Sequence, residues 1–94
     1  MSSQNRVAEF LQVRNQLESN YKDSKERLKE LVDELSNLKQ KAKDCLRKHD
    51  REGAKRHLYR MQGIRGQVDL IVIVIKKQQA LISELDVKLS HIQS

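Results

Sequence analysis

The side chains best suited to metal chemistry in this sequence are one cysteine and two histidines that lie close together in the chain. Cys45 and His49 are four residues apart, which places both on one face of a helix, and His57 follows soon after. A structural zinc site usually needs four ligands and often more than one cysteine. Because Cys45 also falls at an apolar position of the heptad pattern described below, we interpret it as a packing residue and expect no metal or other cofactor.

No pattern typical of catalysis accompanies these residues. The sequence contains no glycine-rich phosphate loop, no nucleophile elbow and no pair of carboxylates placed to converge. A thin helical protein also lacks a pocket in which binding energy can be focused on a transition state. We therefore expect that the protein is not an enzyme and that it acts by binding or assembling.

Basic residues are concentrated in the middle of the chain. Residues 39–65 contain ten Lys or Arg against three acidic residues, an excess of seven in a chain whose net charge is +6. Such a cluster favours an anionic partner: phospholipid headgroups, nucleic acid or an acidic protein segment. The alternative is that these charges only solvate a helix end. The residues predicted to bind a membrane or an acidic partner are Lys39, Lys41, Lys43, Arg47, Lys48, Arg51, Lys55, Arg56 and Arg60.

Two heptad patterns predict the helices that position these charges. Apolar residues that recur at steps of three and four form one seam in each half of the chain, with helices expected at about 5–47 and 51–91. Asp50 is the predicted N-cap of the second helix. The first seam comprises Val7, Phe10, Leu17, Tyr21, Leu28, Leu31, Leu35, Leu38, Ala42 and Cys45, interrupted by Arg14 and Ser24. The second comprises Met61, Ile64, Val68, Ile71, Ile75, Gln78, Ile82, Leu85, Leu89 and Ile92, with Ala54 and Leu58 extending it backwards.

The turn at about 48–50 is too short for anything but neighbouring antiparallel helices. The predicted fold class is therefore all-α: one long antiparallel two-helix hairpin, coiled-coil-like, over residues 1–94. Residues whose numbers sum to about 100 should face each other. That rule places Arg14 opposite 84–86, where an ion pair can form, and Tyr21 near Gln78, where a hydrogen bond can form.

The segment 70–75, Leu-Ile-Val-Ile-Val-Ile, is rich in β-branched residues that also suit a strand. We predict a helix, because no second strand-like segment could pair with it. A helix that is apolar all round exposes side chains that a hairpin cannot cover. Leu70, Ile73 and Val74 point away from the seam and are the predicted self-assembly residues.

The single cysteine and the absence of an apolar segment behind the N-terminus favour a reducing, cytoplasmic setting. The longest apolar run is far shorter than the roughly 20 residues that cross a bilayer. Any membrane association is therefore expected to be peripheral.

Residues around the turn resemble the hairpin of the ESCRT-III family, including its archaeal cell-division relatives. In that family a basic first helix ends in a short polar tip, followed by Ala and, four residues later, Leu. The segment after the lysine-rich 39–43 matches this pattern with Asp50, Arg51, Glu52, Ala54 and Leu58. The stretch 79–89 is similar to the end of the second helix in archaeal members, and the resemblance covers residues 7–92. His49 departs from the pattern, since the family often has glycine there.

The resemblance implies a subunit that polymerises on anionic membranes, alone or with related subunits, and remodels or severs them in cell division or vesicle transport. Family members continue into shorter helices and a tail that binds an AAA ATPase. The sequence given stops before that region, so it is either a core fragment or a chain without the regulatory part, and an AAA ATPase is an expected partner only if a C-terminal region exists beyond Ser94. A coiled-coil adaptor or tether is the alternative function. Nucleic-acid binding ranks third, because the chain has only three aromatic residues and no known reading motif.

Overall fold

The structure, a computed structural model, describes the backbone of residues 3–93 and the side chains of residues 5–92. It consists of two helices, α1 (Ser3–Arg47) and α2 (Arg51–Gln93), and the described residues form no strand. The predicted fold class, an all-α antiparallel two-helix hairpin, is confirmed. The segment 70–75 is helical and lies within α2, as the absence of a pairing strand predicted.

The turn between the helices is closed by two backbone hydrogen bonds. The amide of Asp50 donates to the carbonyl of Cys45 (2.7 Å), and the amide of His49 donates to the carbonyl of Leu46 (3.1 Å). This pair of bonds is the Schellman arrangement that ends many helices. His49 has a φ of 60°, the left-handed conformation that glycine usually supplies at this position. The turn therefore forms without its usual glycine.

Asp50 also begins the second helix. Its side-chain Oδ1 accepts a hydrogen bond from the amide of Gly53 (2.9 Å), and its carbonyl accepts from the amide of Ala54 (3.1 Å). These are the bonds of an N-cap residue, so the predicted cap is confirmed. Gly53 is buried below the cap. A Cβ on Gly53 would lie 2.8 Å from Cγ of Asp50 and 2.9 Å from Sγ of Cys45, too close for either to stay in place.

The described chain divides into two compact units, each built from a segment of α1 and a segment of α2. The turn unit is Glu26–Val72, and the terminal unit is the described chain on either side of that range. Within the turn unit, Glu34 bonds Arg60 and Arg27 bonds Gln67. Because the α1 number falls as the α2 number rises, the two segments run antiparallel.

The turn unit contains a continuous aliphatic core. Its centre is formed by Leu31, Leu38, Met61 and Ile64, each no more than 6% exposed. Leu35, Val68 and Ile71 pack against this centre and are half-buried. Nearer the turn the buried residues are small: Ala42 and Ala54. Small side chains there let the two backbones approach closely, as the buried Gly53 also requires.

The terminal unit is covered less completely. Leu89 is its one fully buried hydrophobic residue among those described. The other apolar seam positions in this unit are half-buried. The two interruptions of the first seam, Arg14 and Ser24, lie here and are half-buried, as are the polar seam residues Tyr21 and Gln78.

The heptad prediction is confirmed along both helices, since every seam position that it named is buried or half-buried. One extension was wrong. Leu58 is 49% exposed, and His57 occupies the half-buried position instead. Residue 57 lies seven residues before Ile64, so the heptad repeat places it in the seam. The helix phase therefore turns His57 toward α1, although Leu58 is more hydrophobic.

The two predicted polar pairs have different outcomes. Arg14 Nε donates to Oδ1 of Asp86, and Arg14 also pairs with Glu18, so the predicted ion pair is confirmed. These hydrogen bonds, first that to Asp86 and then that to Glu18, raise the pKa of the Arg14 guanidinium. The hydrogen bond between Tyr21 and Gln78 is wrong: Oε1 of Gln78 is buried and accepts no hydrogen bond. The ring of Tyr21 instead faces Nζ of Lys25 at 4.6 Å.

Candidate functional site

All nine basic residues predicted to bind an anionic partner are exposed and belong to the turn unit. Three of them form ion pairs: Arg47 with Asp44 at 3.3 Å, Lys55 with Glu52 at 3.7 Å and Arg60 with Glu34 at 3.1 Å. The other six make no ion pair within the described residues: Lys39, Lys41, Lys43, Lys48, Arg51 and Arg56. Most of the predicted cationic site is therefore left without internal neutralisation.

The helix phase divides the surface of the turn unit into two edges. A residue that precedes a seam residue and one that follows it lie on opposite sides of the seam, since each step turns the helix by about 100°. Arg60 and Glu34 both precede seam residues, and so do Arg27 and Gln67. Because these two pairs bond across the helices, the preceding residues of α1 and α2 share one edge. The following residues then share the other.

The edge of preceding residues, which we call the mixed edge, carries charges of both signs. Glu34 and Arg60 pair across it, and Arg27 bonds both Glu30 (3.2 Å) and Gln67 (3.4 Å). An open groove of about 470 Å³ lies between these side chains, over Gly63 and Ile64. Because the polar groups that line the groove already bond one another, the groove does not present free groups to a ligand. Lys41, Asp44 and Arg56 complete the mixed edge.

The edge of following residues, which we call the basic edge, has a different composition. Between Leu31 and Arg47 on α1, and between Arg51 and Arg65 on α2, no acidic residue follows a seam residue. Two of the following residues are exposed leucines, Leu46 (56% exposed) and Leu58 (49%). Near the turn the basic edge comprises Lys39, Lys43 and Leu46 of α1 with Lys55, Leu58 and Arg51 of α2, the last of them one heptad before Leu58. Farther from the turn it continues through Val32, Ser36, Gln62 and Arg65.

The register near the turn determines which residues of α1 and α2 lie opposite each other on the basic edge. Gly53 lies beside Cys45, so residues whose numbers sum to about 98 are opposite each other there. Lys43 and Lys55 satisfy this sum and lie on the same edge. The pair of Lys55 with Glu52 is exposed on both sides, so solvent weakens the attraction between the two side chains. Two like charges at one level repel each other and attract an external anion. This arrangement is the most distinctive feature of the cationic site.

The three predicted self-assembly residues are exposed on α2: Leu70 at 66%, Ile73 at 50% and Val74 at 43%. Steps of three and four place them on one face of the helix, away from the seam. Gly63 and Gly66 on α2 also face open space, with nothing within 4 Å of a Cβ built on either. Leu70, Ile73 and Val74 therefore form an aliphatic surface of α2 that the described chain covers only in part.

The residues considered for zinc are dispersed by the turn. Cys45 is half-buried under Gly53, His49 is exposed in the turn, and His57 is half-buried in the seam. No group of three or more His, Cys, Asp or Glu side chains in the described part of the chain is placed to hold a metal ion.

Neither α1 nor α2, over the residues described, is apolar enough along its length to cross a membrane. No family model, curated protein or solved structure matches this chain. The arguments for function therefore rest on the charges, exposures and contacts described above.

Two features of the site were missed by the sequence analysis. The first is the separation of the basic residues into two edges, which assigns Lys41, Arg56 and Arg60 to the mixed edge. The seam phase and the antiparallel pairing together contain that signal. The second is the exposure of Leu46 and Leu58 among the cations, which follows from the same phase.

Proposed function

We propose that this chain is a non-catalytic structural subunit that polymerises on anionic membranes, where it remodels or severs them in the manner that the ESCRT-III resemblance implies. The observation that carries the proposal is the cationic turn unit, in which six of nine predicted basic residues have no ion-pair partner among the residues described. Each Lys or Arg near an anionic membrane contributes about 1 kcal/mol. Several of them suffice for attachment that salt reverses.

Self-assembly is supported by the outer face of α2. Leu70, Ile73 and Val74 are aliphatic side chains that stay 43–66% exposed in the described chain. Exposed aliphatic clusters are typical of contacts with another chain. The partner in this proposal is another copy or a related subunit, and the setting is the cytoplasmic surface of a membrane.

Electron microscopy of the purified chain with anionic liposomes, at low and high salt, tests the proposal. We expect filaments or coated tubules at low salt and their loss at high salt, because ionic screening weakens the attachment. Bare liposomes beside small uniform particles would overturn it.

The assembly surface has its own test. Replacing Ile73 and Val74 by Asp should abolish the polymers while far-UV circular dichroism shows unchanged helicity, because both side chains are about half exposed. The matched control is Gln79→Asp with Ser83→Asp, which adds two aspartates, and so the same net charge, at exposed positions farther along α2. Polymers that survive the Ile73 and Val74 changes would contradict the proposed surface.

A coiled-coil adaptor or tether is the second candidate function. The confirmed heptad seam and the exposed face of α2 also suit a protein that binds one partner helix. An adaptor forms a discrete oligomer, whereas a filament subunit assembles without closing. Analytical ultracentrifugation over a range of concentrations separates the two: one fixed mass supports the adaptor, and growth with concentration supports the filament.

A further inference from the structure

We infer that the turn unit meets an anionic lipid surface with one edge only, the basic edge, and that Leu46 and Leu58 enter the lipid headgroup region there. This inference rests on the proposed function and specifies the part of the molecule that touches the membrane. It separates the predicted cationic residues into a lipid-facing set and a set that faces elsewhere.

The charge distribution supports the choice of edge. The helical positions of the basic edge, from Leu31 to Arg47 and from Arg51 to Arg65, hold no carboxylate. The mixed edge holds Glu30, Glu34 and Asp44, and its arginines Arg27 and Arg60 already pair with acidic residues. A lipid surface of negative charge would repel those acidic groups. The basic edge is therefore the more favourable contact.

The exposed leucines indicate which anion the edge fits. Leu46 and Leu58 lie among the lysines and arginines with about half of their surface in water. Apolar side chains interleaved with cations are typical of segments that lie at the interface of an anionic bilayer. A nucleic acid would gain little from leucines, and the basic edge has no aromatic side chain on which bases could stack. The chemistry of the edge thus favours lipid.

A pair of charge-reversal variants tests the edge. Lys43→Glu with Lys55→Glu changes the basic edge, and Lys41→Glu with Arg56→Glu changes the mixed edge by the same net charge. Binding is measured by co-sedimentation with phosphatidylcholine vesicles that do or do not contain phosphatidylserine. Because each cation near an anionic surface contributes about a factor of five, the first variant should bind at least about tenfold more weakly than the second. Equal losses would overturn the assignment.

A tryptophan reporter tests insertion directly, because the chain contains no tryptophan. Leu58→Trp places the reporter on the basic edge, and Asn37→Trp places it at an exposed position of the mixed edge. With phosphatidylserine vesicles, the emission of the first should shift to shorter wavelength and that of the second should not. A shift in both, or in neither, would contradict insertion at this edge.

The leucines also distinguish lipid from nucleic acid. Leu46→Ser with Leu58→Ser keeps the charge, so it should weaken vesicle binding severalfold and leave binding to a single-stranded oligonucleotide unchanged. Vesicle binding that is equally unchanged would overturn the role of the leucines. Far-UV circular dichroism checks that each variant is folded.

These outcomes can be separated from those of the proposed function. If filaments form on phosphatidylserine vesicles but the two charge-reversal variants bind equally, the edge assignment fails and the proposed function stands. If the emission of the Leu58→Trp variant shifts and no filaments form at any concentration, the edge assignment stands and polymerisation fails.

Discussion

The turn unit and the terminal unit are built from the same two helices with the same heptad spacing, yet they bury their seams to different extents. Of the seven fully buried hydrophobic residues in the described part of the chain, six belong to the turn unit and one, Leu89, belongs to the terminal unit. Four polar seam residues, Arg14, Tyr21, Ser24 and Gln78, lie in the terminal unit, whereas the turn unit has His57. The comparison shows that spacing determines which residues face the partner helix, whereas side-chain type determines how well that face is sealed.

The difference extends to local stability. Elements with few buried apolar contacts open at lower free energy than elements with a continuous core. We therefore expect the terminal unit to exchange its amide hydrogens faster than the turn unit. Four sets of substitutions, ordered from the largest expected effect to the smallest, test or sharpen this comparison.

The largest effect is expected in the core of the turn unit. Leu31, 2% exposed, is the most completely buried large side chain. Leu31→Ala should lower the free energy of unfolding by about 3 kcal/mol, because it removes buried surface and leaves a cavity. The matched variant Leu17→Ala, at a half-buried seam position of the terminal unit, should cost about 1 kcal/mol. Urea denaturation followed by circular dichroism measures both, and equal costs would remove the distinction between the units.

The next effect concerns the close approach at the turn. Gly53→Ala should cost about 1 to 2 kcal/mol, because the new Cβ displaces the Asp50 carboxylate from its bond to the Gly53 amide. If loss of the cap is the cause, Gly53→Ala should lower the free energy of unfolding by less in a chain that already carries Asp50→Ala. A double-mutant cycle by urea denaturation should then give a cost for both changes smaller than the sum of the two single costs. Additive costs would point to the contact with Cys45 instead.

A stabilising change is expected in the terminal unit. Oε1 of Gln78 is buried without a hydrogen-bond partner, which costs roughly 1 kcal/mol or more. Gln78→Leu should therefore raise the free energy of unfolding by about 1 kcal/mol and slow amide exchange in the terminal unit. The control Gln79→Leu, at a neighbouring exposed position, should leave both nearly unchanged. A destabilised Gln78 variant would mean that this side chain has a partner, such as a bound water.

The smallest effects are expected at two glycines of α2 that face open space. Gly63 and Gly66 have no neighbour within 4 Å of a built Cβ. Gly63→Ala and Gly66→Ala should each stabilise the protein by about 0.5 to 1 kcal/mol, because alanine is the better helix former. Thermal unfolding of each variant checks this. The change in stability should have the opposite sign to the change caused by Gly53→Ala. A destabilising result at either position would reveal a close contact in an assembled form.

Much of the fold could be predicted from the sequence, because the heptad steps determine both helices and all seam positions except the one at residues 57 and 58. The errors lie where two residues satisfy the spacing equally. Either residue 57 or residue 58 lies three or four steps from Ala54 and Met61, and hydrophobicity favoured Leu58. The structure buries His57 instead, since helix phase is set by the whole repeat and not by one neighbour.

Features of the turn were harder to predict for a physical reason. Left-handed backbone is signalled by glycine, and the residue that adopts it here is His49, which carries no such signal. The near contact of Gly53 with Asp50 and Cys45 depends on the distance between two helices, which spacing alone does not give.

In the terminal unit, the predicted bond from Tyr21 to Gln78 was wrong. The register predicts which residues of α1 and α2 lie opposite each other, but it does not predict the direction of their side chains.

The cationic residues themselves could be identified from composition, but their partition into a basic and a mixed edge required knowledge of which flanks meet. Once Glu34 was seen to bond Arg60, the phase of the seam assigned every other residue to an edge. The proposed lipid contact therefore depends on two observed pairings, Glu34 with Arg60 and Arg27 with Gln67, combined with a periodicity that the sequence already contained.

Asp50 closes the hydrogen bonding of α1 through its amide and opens that of α2 through its side chain and carbonyl. Because one residue performs both tasks, the connection has no spare length. An insertion of one residue would rotate α2 by about 100° about its axis and carry its apolar stripe away from α1. We therefore expect changes in chain length to be tolerated at the two ends of the chain, or as matched heptads added to both helices. The turn itself sets the register between α1 and α2 and should not tolerate such changes.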